Sequence, residues 1–481
     1  MDFTEIYRQS SSLVAFSPGG HFILTAVEDR VIVRRTDTFQ ITRTWLVDAS
    51  PSPTNVFFSS KSLSKAKSSS GPISDGWVTH CGWSCDSEYI FAAFANVGVV
   101  HILKLRDETW SGRIEAGTEG LTKAEWAPDG RTILCFSEWG LRVTLWSLAT
   151  GNATYIQFPV HPDRGYAFRA DGRYFFLAER HKSKDTLGVY DAAESYKLMR
   201  HFPLPTSSLA SLAMSPTGNH IAIWEGPLDY KLHVLTPAGN VLTTFTPESD
   251  PGLGIRNVAW HPNGMFLAVG GWDDRIYILE SLSWSAVATL ELSSRIPTST
   301  KVWREPSNWM ELTEGRGFLS YERLSGPQVL SIVRADQTKP SPKSGALQLE
   351  WNNGGDLLLV RFENVPTAVF IYDFPSPQQE FVPRLRSVLL HSSPVFNARW
   401  NPVRKGSLVV CCNTQSVYTW SDEWVNESGE EEEMAECIGV PTHKFETRDA
   451  KWAPDGKGFI LYDKDQFCCA FEVEDEEPEA T

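Results

Sequence analysis

Apolar residues along this chain come in short runs of about five, and each run stops at a polar turn. Gly120 to Leu148 is the clearest case. Leu121 to Ala127 half-alternates and ends on Trp126, Pro128-Asp129-Gly130 breaks it, and Thr132-Ile133-Leu134-Cys135-Phe136 is nearly continuous. Glu138-Trp139-Gly140 breaks the pattern again before Leu141 to Trp146, and a fourth run lies near Thr154-Tyr155-Ile156. Pro sets φ, Asp bonds its own backbone and Gly accepts positive φ, so Pro-Asp-Gly is a turn with a mechanism. Four strands joined by tight turns predict one antiparallel meander sheet.

The same pattern of aromatic or Met, polar turn and apolar run returns nine times. Its boxes stand at Phe16, Trp83, Trp126, Phe168, Met214, Trp260, Trp351, Trp400 and Trp452. From Trp83 to Trp260 they are spaced 42 to 46 residues apart, the period of WD-type propeller blades. The expected fold is therefore all-β, a WD40-type β-propeller over residues 1–474, as one closed ring of about nine four-stranded blades. Seven blades plus irregular ones are the alternative. An N-terminal strand over 3–11 is expected to complete the last blade, which has room for only three strands of its own; closure of this kind limits exposed edges. Each box aromatic is expected to pack between neighbouring blades, which accounts for much of the 18 Trp without a ligand.

Four segments depart from the pattern. Residues 59–76 are Ser/Lys-rich and read as a flexible loop. Residues 291–345 hold an irregular insertion or a degenerate blade, with the insertion favoured because no turn box falls midway. Residues 422–440 contain Glu430 to Glu433 and read as an acidic loop, and 475–481 as an acidic tail.

Charge and chemistry narrow the function classes. The net charge of −15 argues against a phosphate-backbone binder and against anionic membrane surfaces, so neither nucleic acid nor membrane is an expected partner. Residues Met1 to Ser12 lack the basic and apolar parts of a secretory signal, and Tyr89 to Leu105 is too broken to span a bilayer and reads as a hairpin. The eight Cys, with pairs at Cys411-Cys412 and Cys468-Cys469, read as buried reduced thiols. No phosphate loop, metal helix or nucleophile elbow occurs. His80-Cys81 with Cys85 lacks a paired C-x-x-C, and His181 and His391 read as loop histidines. No enzyme activity, metal or cofactor is expected.

What remains is surface. The loops between second and third strands would carry Glu138, Trp139, Arg142, Glu179, Arg180, Asp229, Tyr230, Trp272 and Asp273, along with Glu28, Asp29 and Glu225. Mixed charge with aromatics suits a protein interface. The structural reading of each Trp, packed on a neighbouring blade, and of Asp273-Asp274, making structural hydrogen bonds in the turn, stands beside it.

Longer stretches narrow the family. Phe3 to Val33, Glu115 to Leu148 with LRVTLWSL, DGRYFFLAERHKSKD, the run from Met199 to Phe245 with LDYK, Gly254 to Leu279 and NVPTAVFIYDF follow one order along most of the chain. In these the chain resembles the WD-repeat-protein-eight family of centrosomes and spindle pole bodies. It departs from the common WD signature at Trp146-Ser147, Tyr190-Asp191, Tyr372-Asp373 and Trp420-Ser421, and from the family at 59–76, 295–345 and near 430. The resemblance implies a non-enzymatic adaptor in the cytoplasm and cytoskeleton, at the microtubule-organising centre. It implies as partners a coiled-coil microtubule-anchoring protein of the Msd or synovial-sarcoma-X-interacting type, a kinesin-fourteen-class motor and γ-tubulin complex components. A WD40 scaffold of an RNA- or translation-linked complex is the alternative.

Overall fold

The computed structural model describes residues 1–50, 76–248, 252–336, 342–374, 382–425, 431–442 and 444–472. The Ser/Lys-rich segment, up to residue 75, and the acidic tail lie outside them. Among the described residues the chain is all-β, with a single α-helical turn at Trp309–Leu312. It forms nine antiparallel blade sheets of the WD40 propeller type.

Every box residue ends the first strand of a blade: Phe16, Trp83, Trp126, Phe168, Met214, Trp260, Trp351, Trp400 and Trp452 are all terminal residues. The turn that follows is built as its residues dictate. Asp129 Oδ1 accepts from the backbone N–H of Arg131 and Thr132, both at 2.9 Å, and Gly130 takes φ 61°.

The chain divides into two compact units. One holds residues 6–204 with 464–467, and contains blades 1 to 4. Blade 3 is Lys123–Trp126, Thr132–Phe136, Arg142–Ser147 and Ala153–Gln157. Blade 4 is Tyr166–Phe168, Tyr174–His181, Lys184–Asp191 and Lys197–Pro203. Adjacent blades bury apolar faces on each other, as where Leu24, Val31 and Trp45 of blade 1 meet Trp83, Ile90 and Phe94 of blade 2. In this unit Tyr7–Arg8 pairs with Phe467 and Gln466, and the Tyr7 ring lies 5.4 Å from that of Phe467.

The other unit holds residues 1–5, 205–463 and 468–481, with blades 5 to 9. Here Asp2–Phe3 pairs with Phe471 and Ala470 beside the three C-terminal strands Asp449–Trp452, Gly458–Tyr462 and Gln466–Phe471. The N-terminal strand expected over 3–11 is thus two short pieces, Asp2–Phe3 and Tyr7–Arg8.

Within each unit one hydrogen bond recurs between blades. The Trp83 indole N–H donates to Ala15 O at 3.4 Å, and Trp126 to Gly82 O at 3.1 Å. Trp260, Trp351, Trp400 and Trp452 donate to Ala213, Ala259, Glu350 and Arg399 carbonyls at 3.0 to 3.2 Å. Each acceptor is the residue just before the box residue of the preceding blade. Phe16, Phe168 and Met214 have no side-chain N–H and cannot make it. A box Trp therefore contributes apolar area and a bond of about 0.5–1.5 kcal/mol net.

The segment 291–345 forms no further blade among its described residues; it extends two existing sheets. Lys301–Arg304 runs parallel to Arg384–Leu390, the outer strand of blade 7, and Phe318–Ser320 pairs with Glu431–Gly439 on the outer edge of blade 8. Glu305 fastens it: Oε1 accepts from Trp309 Nε1 and Tyr418 OH, both at 2.8 Å, and Oε2 from Ser392 N–H at 2.6 Å.

The acidic loop expected over 422–440 is a correction. Ser416–Val425 and Glu431–Gly439 pair as a hairpin, from Val417↔Ile438 to Trp424↔Glu432. Its period is two: Glu433, Ala435 and Cys437 point inward and Glu432 is exposed. Glu433, 4% exposed, accepts from Trp303 Nε1 at 2.9 Å, Trp420 Nε1 at 3.0 Å, Lys301 Nζ at 2.9 Å and the Ser387 hydroxyl. Burial alone would raise its pKa, but these donors together hold the carboxyl below its ordinary range.

Candidate interaction surface

In blade 3 the loop Glu138–Leu141 is pinned at its neck. The Ser137 hydroxyl donates to Arg142 O and accepts from Arg142 N–H, both at 2.8 Å. Trp139 sits in the left-handed region at φ 61°, ψ 13°, a conformation that is uncommon for a bulky side chain and costs on the order of 1–3 kcal/mol. Its side chain is turned outward and is 88% exposed. Glu138 beside it is exposed too. Arg142 is half-buried, ion-paired with Glu119 at 2.5 Å and laid over the Tyr155 ring at 4.7 Å.

The patch continues into blade 4 through Phe158. Its N–H donates to Leu141 O at 3.0 Å, and its carbonyl accepts from Arg180 N–H at 2.8 Å. Phe158 also has positive φ, 60°. Leu141, Tyr155 and Phe158 are each about half exposed, so three large apolar side chains face solvent along with Trp139. Arg180 is exposed, with its guanidinium on buried Asp185 at 2.8 Å. Phe158, Tyr155 and Leu141 were not singled out from sequence; strand register brings them to Trp139.

Glu179, expected on this exposed face, is a correction: it is 4% exposed. Strand alternation puts it with the fully buried Phe175 and Leu177, whereas Arg180 points the other way. Its Oε2 accepts from His181 Nε2 at 3.0 Å and pairs with His201 Nε2 at 3.3 Å; its Oε1 accepts from the Tyr190 hydroxyl. His181, expected in a loop, ends the strand Tyr174–His181.

Of the remaining surface candidates, Glu28 and Asp29 form the turn between Phe22–Val27 and Arg30–Arg35 in blade 1, where Glu28 N–H donates to the Ser10 hydroxyl at 2.8 Å; the others lie in the other unit and do not form a comparable patch. Asp229 is exposed. Tyr230 is another correction: it is 5% exposed, and with Asp273 Oδ1 it fills the space that a side chain on Gly271 would need. Trp272 is half-buried under the Arg256 guanidinium at 4.5 Å, and Arg256 Nη1 donates to Ser344 O at 2.7 Å, so this corner is packing. Asp274 makes the structural bonds, accepting from Asn364 Nδ2 at 2.8 Å and Gly345 N–H at 3.3 Å. Asp273 is partly buried, Oδ1 has no hydrogen-bond partner, and burial pushes its pKa up to about 6. Glu225 is also buried and accepts from Ser207 and Ser208 N–H at 2.9 Å.

Comparison with known proteins agrees with the blade architecture. The WD40 family pattern, described as WD domain, G-beta repeat, matches residues 239–279, from the outer strand of blade 5 to the third strand of blade 6. WD repeat-containing protein WRAP73 of Mus musculus is 29% identical over 490 residues, spanning 98% of this chain and 96% of that one. The chain thus carries a WD repeat and is similar to WRAP73 along almost its whole length. An uncharacterised WD repeat-containing protein of Schizosaccharomyces pombe is 20% identical over 408 residues, covering 80% of this chain and 79% of the other. Among solved structures, the C-terminal WD40 domain of Sif2 aligns with 92% of this chain and 99% of its own at 12% identity and a TM-score of 0.48.

This WD-repeat chain also carries a groove of about 510 Å³ in the unit holding blades 5 to 9. Phe318, Trp424, Met434, Ile438 and Trp452 line it, with Glu423 and Glu436 among them. Burial raises the Glu436 pKa. Sequence reasoning missed it for a specific reason: its walls come from the insertion strand Phe318–Ser320 and from the hairpin read as a loop.

Proposed function

We propose that this WD-repeat scaffold is a non-enzymatic adaptor at the microtubule-organising centre. It would join a coiled-coil microtubule-anchoring protein to a kinesin-fourteen-class motor, with γ-tubulin complex components as further partners. Two supports carry the reading: the family resemblance set out above, and relatedness to WRAP73 along 98% of the chain. The observation that supports a contact in blade 3 is Trp139, a bulky residue held at positive φ with its indole 88% exposed. Interfaces concentrate their binding energy in a few Trp, Tyr and Arg residues. Trp139, with Tyr155, Phe158 and Arg142 around it, has that composition. Modest affinities for two partners combine through effective concentration when both sit on one rigid frame. An RNA-linked scaffold would need a basic groove, which the net charge of −15 disfavours.

The test is affinity purification of the tagged chain from dividing cells, read by mass spectrometry, with wild type beside Trp139→Ala/Phe158→Ala. Recovery of a coiled-coil anchor and a kinesin that falls at least tenfold in the double variant, at unchanged melting temperature, supports the reading. Recovery of neither from wild type sinks the cellular role; equal recovery from both proteins sinks the patch as the contact.

A further inference from the structure

Glu179, His181 and His201 come from two non-adjacent strands of blade 4 and meet across the strand between them. Glu179 and His181 are two residues apart on Tyr174–His181 and share a face. His201 lies on Lys197–Pro203, opposite Gly188 of the intervening strand, and Gly188 lies opposite Leu177. These pairings put Glu179, His181, Gly188, Tyr190 and His201 on one face of the sheet. Gly188 is what lets them meet. A Cβ there would stand 2.2 Å from Glu179 Oε1 and 2.6 Å from the Tyr190 ring. Any other residue at position 188 would fill the space that the carboxylate uses.

The result is two imidazole nitrogens and one carboxylate oxygen converging on a single point. Glu179 Oε2 is 3.0 Å from His181 Nε2 and 3.3 Å from His201 Nε2, and the three ligand atoms all lie within 4.8 Å of one another. Zinc with N and O ligands at about 2.0–2.1 Å in a tetrahedron separates neighbouring ligand atoms by about 3.3 Å. The carboxylate is oriented from behind, since its other oxygen accepts from the Tyr190 hydroxyl. The two histidines are 42% and 34% exposed at the side chain, so an ion could reach the point from solvent and keep an open position there.

We propose that Glu179, His181 and His201 form a divalent transition-metal site of the zinc class, with two imidazoles and one carboxylate as protein ligands and solvent in the remaining position. The donor set selects zinc-like ions over calcium or magnesium, which take oxygen ligands. The ion would clamp the second strand of blade 4 to the fourth. It would stabilise the folded chain by mass action, so melting temperature would rise with free zinc.

The experiment uses the full chain, stripped with a chelator and titrated with zinc chloride near neutral pH, with calorimetry for stoichiometry and affinity. His181→Ala and His201→Ala remove exposed ligands, and Glu179→Gln removes the buried one. Cobalt chloride serves as a spectroscopic probe on the same proteins. One equivalent of zinc bound by wild type, weakened about tenfold or more in both histidine variants, with visible cobalt bands lost in parallel, supports the site. Absence of saturable zinc binding by wild type overturns it. So does equal binding by wild type and both histidine variants, because the ion would then sit elsewhere. If Glu179→Gln does not fold, the two histidine variants decide the matter alone.

Discussion

Replacing Glu433 by Ala should destabilise this chain by about 4 kcal/mol, although the residue belongs to a run of acids. The figure follows from its partners. The Trp303 and Trp420 side chains are buried, at 7% and 1% exposed, and both indole N–H groups donate to Glu433 Oε1. A buried donor left unsatisfied costs about 1–3 kcal/mol, so the two indoles account for about 2–6 kcal/mol. Lys301 and Arg386 reach Oε2 at 2.9 and 3.5 Å, but their side chains are 37% and 29% exposed and keep part of their hydration. Their share is about 1 kcal/mol or less. Breaking a buried ionic cluster by deleting one member costs about 3–5 kcal/mol, in the same range. Urea unfolding followed by Trp fluorescence gives the comparison, using midpoint and slope together. Glu433→Gln, which keeps one acceptor oxygen, should fall between Ala and wild type. Glu432→Ala, exposed and adjacent, should stay within about 0.5 kcal/mol of wild type. The sign with pH is fixed as well. The folded carboxyl titrates below its ordinary value of 4.5, so its contribution is complete above 4.5 and is lost as pH falls through the folded pKa. Glu433→Ala within 1 kcal/mol of wild type at neutral pH would refute this account of how the hairpin is held.

Two further perturbations test the frame. Trp400→Phe keeps a ring of the kind found at Phe16 and Phe168 but leaves the Glu350 carbonyl without its 3.0 Å donor; a loss of about 2 kcal/mol is expected in urea, against about 3–5 for Trp400→Ala. Equal losses for Phe and Ala would remove the indole bond from the explanation. Asp273→Asn tests the opposite linkage. Asp273 titrates at about 6 when folded, against an ordinary 3.8, because burial outweighs the help from Arg275. Its favourable contribution is complete below about 4 and is lost as pH rises to about 6, so Asn should raise the melting temperature at pH 7 and leave it nearly unchanged at pH 4. The full shift would correspond to about 3 kcal/mol, and partial exposure reduces it to about 1. A gain that is the same at both pH values would show that the effect is not titration.

The frame was legible because each blade repeats one local rule. An aromatic or Met, a short polar turn and an apolar run can be read without knowing what lies opposite, and all nine box residues end a first strand. The hairpin Ser416–Val425 with Glu431–Gly439 was not legible for the converse reason. The period-two pattern Glu433, Ala435, Cys437 was present, but four consecutive acids outweighed it, and the partners that make Glu433 an inward residue come from Lys301, Trp303, Ser387 and Trp420. Tyr230 and Glu179 failed similarly. Phe175 to Ala178 are buried on both faces of their strand, so the run alone does not say whether Glu179 or Arg180 turns inward; the Tyr190 hydroxyl and the His201 ring that receive Glu179 come from other strands, and Tyr230 lies in a loop with no strand pattern to read.

Trp139 lies at the surface, and its local structure differs from that of the other Trp of its blade. Trp126, twelve residues-plus-one earlier in the same blade, has its indole bonded to Gly82 O and its ring near Phe91. Packing accounts for it fully. Trp139 has no such account: its backbone is in the left-handed region, its loop is closed by Ser137 and not by the indole, and its side chain is 88% exposed. A turn at that position would be served better by Gly or Asn, which accept positive φ at little cost. Stability therefore does not explain Trp there, and neither does turn geometry. That is why the contact proposed above is centred on this side chain. The same logic applies at Gly188, where a strand interior is weakened by glycine and the space gained is occupied by Glu179 and Tyr190 beside two histidines. In both places a residue poor for its local structure marks a position whose reason lies beyond that structure.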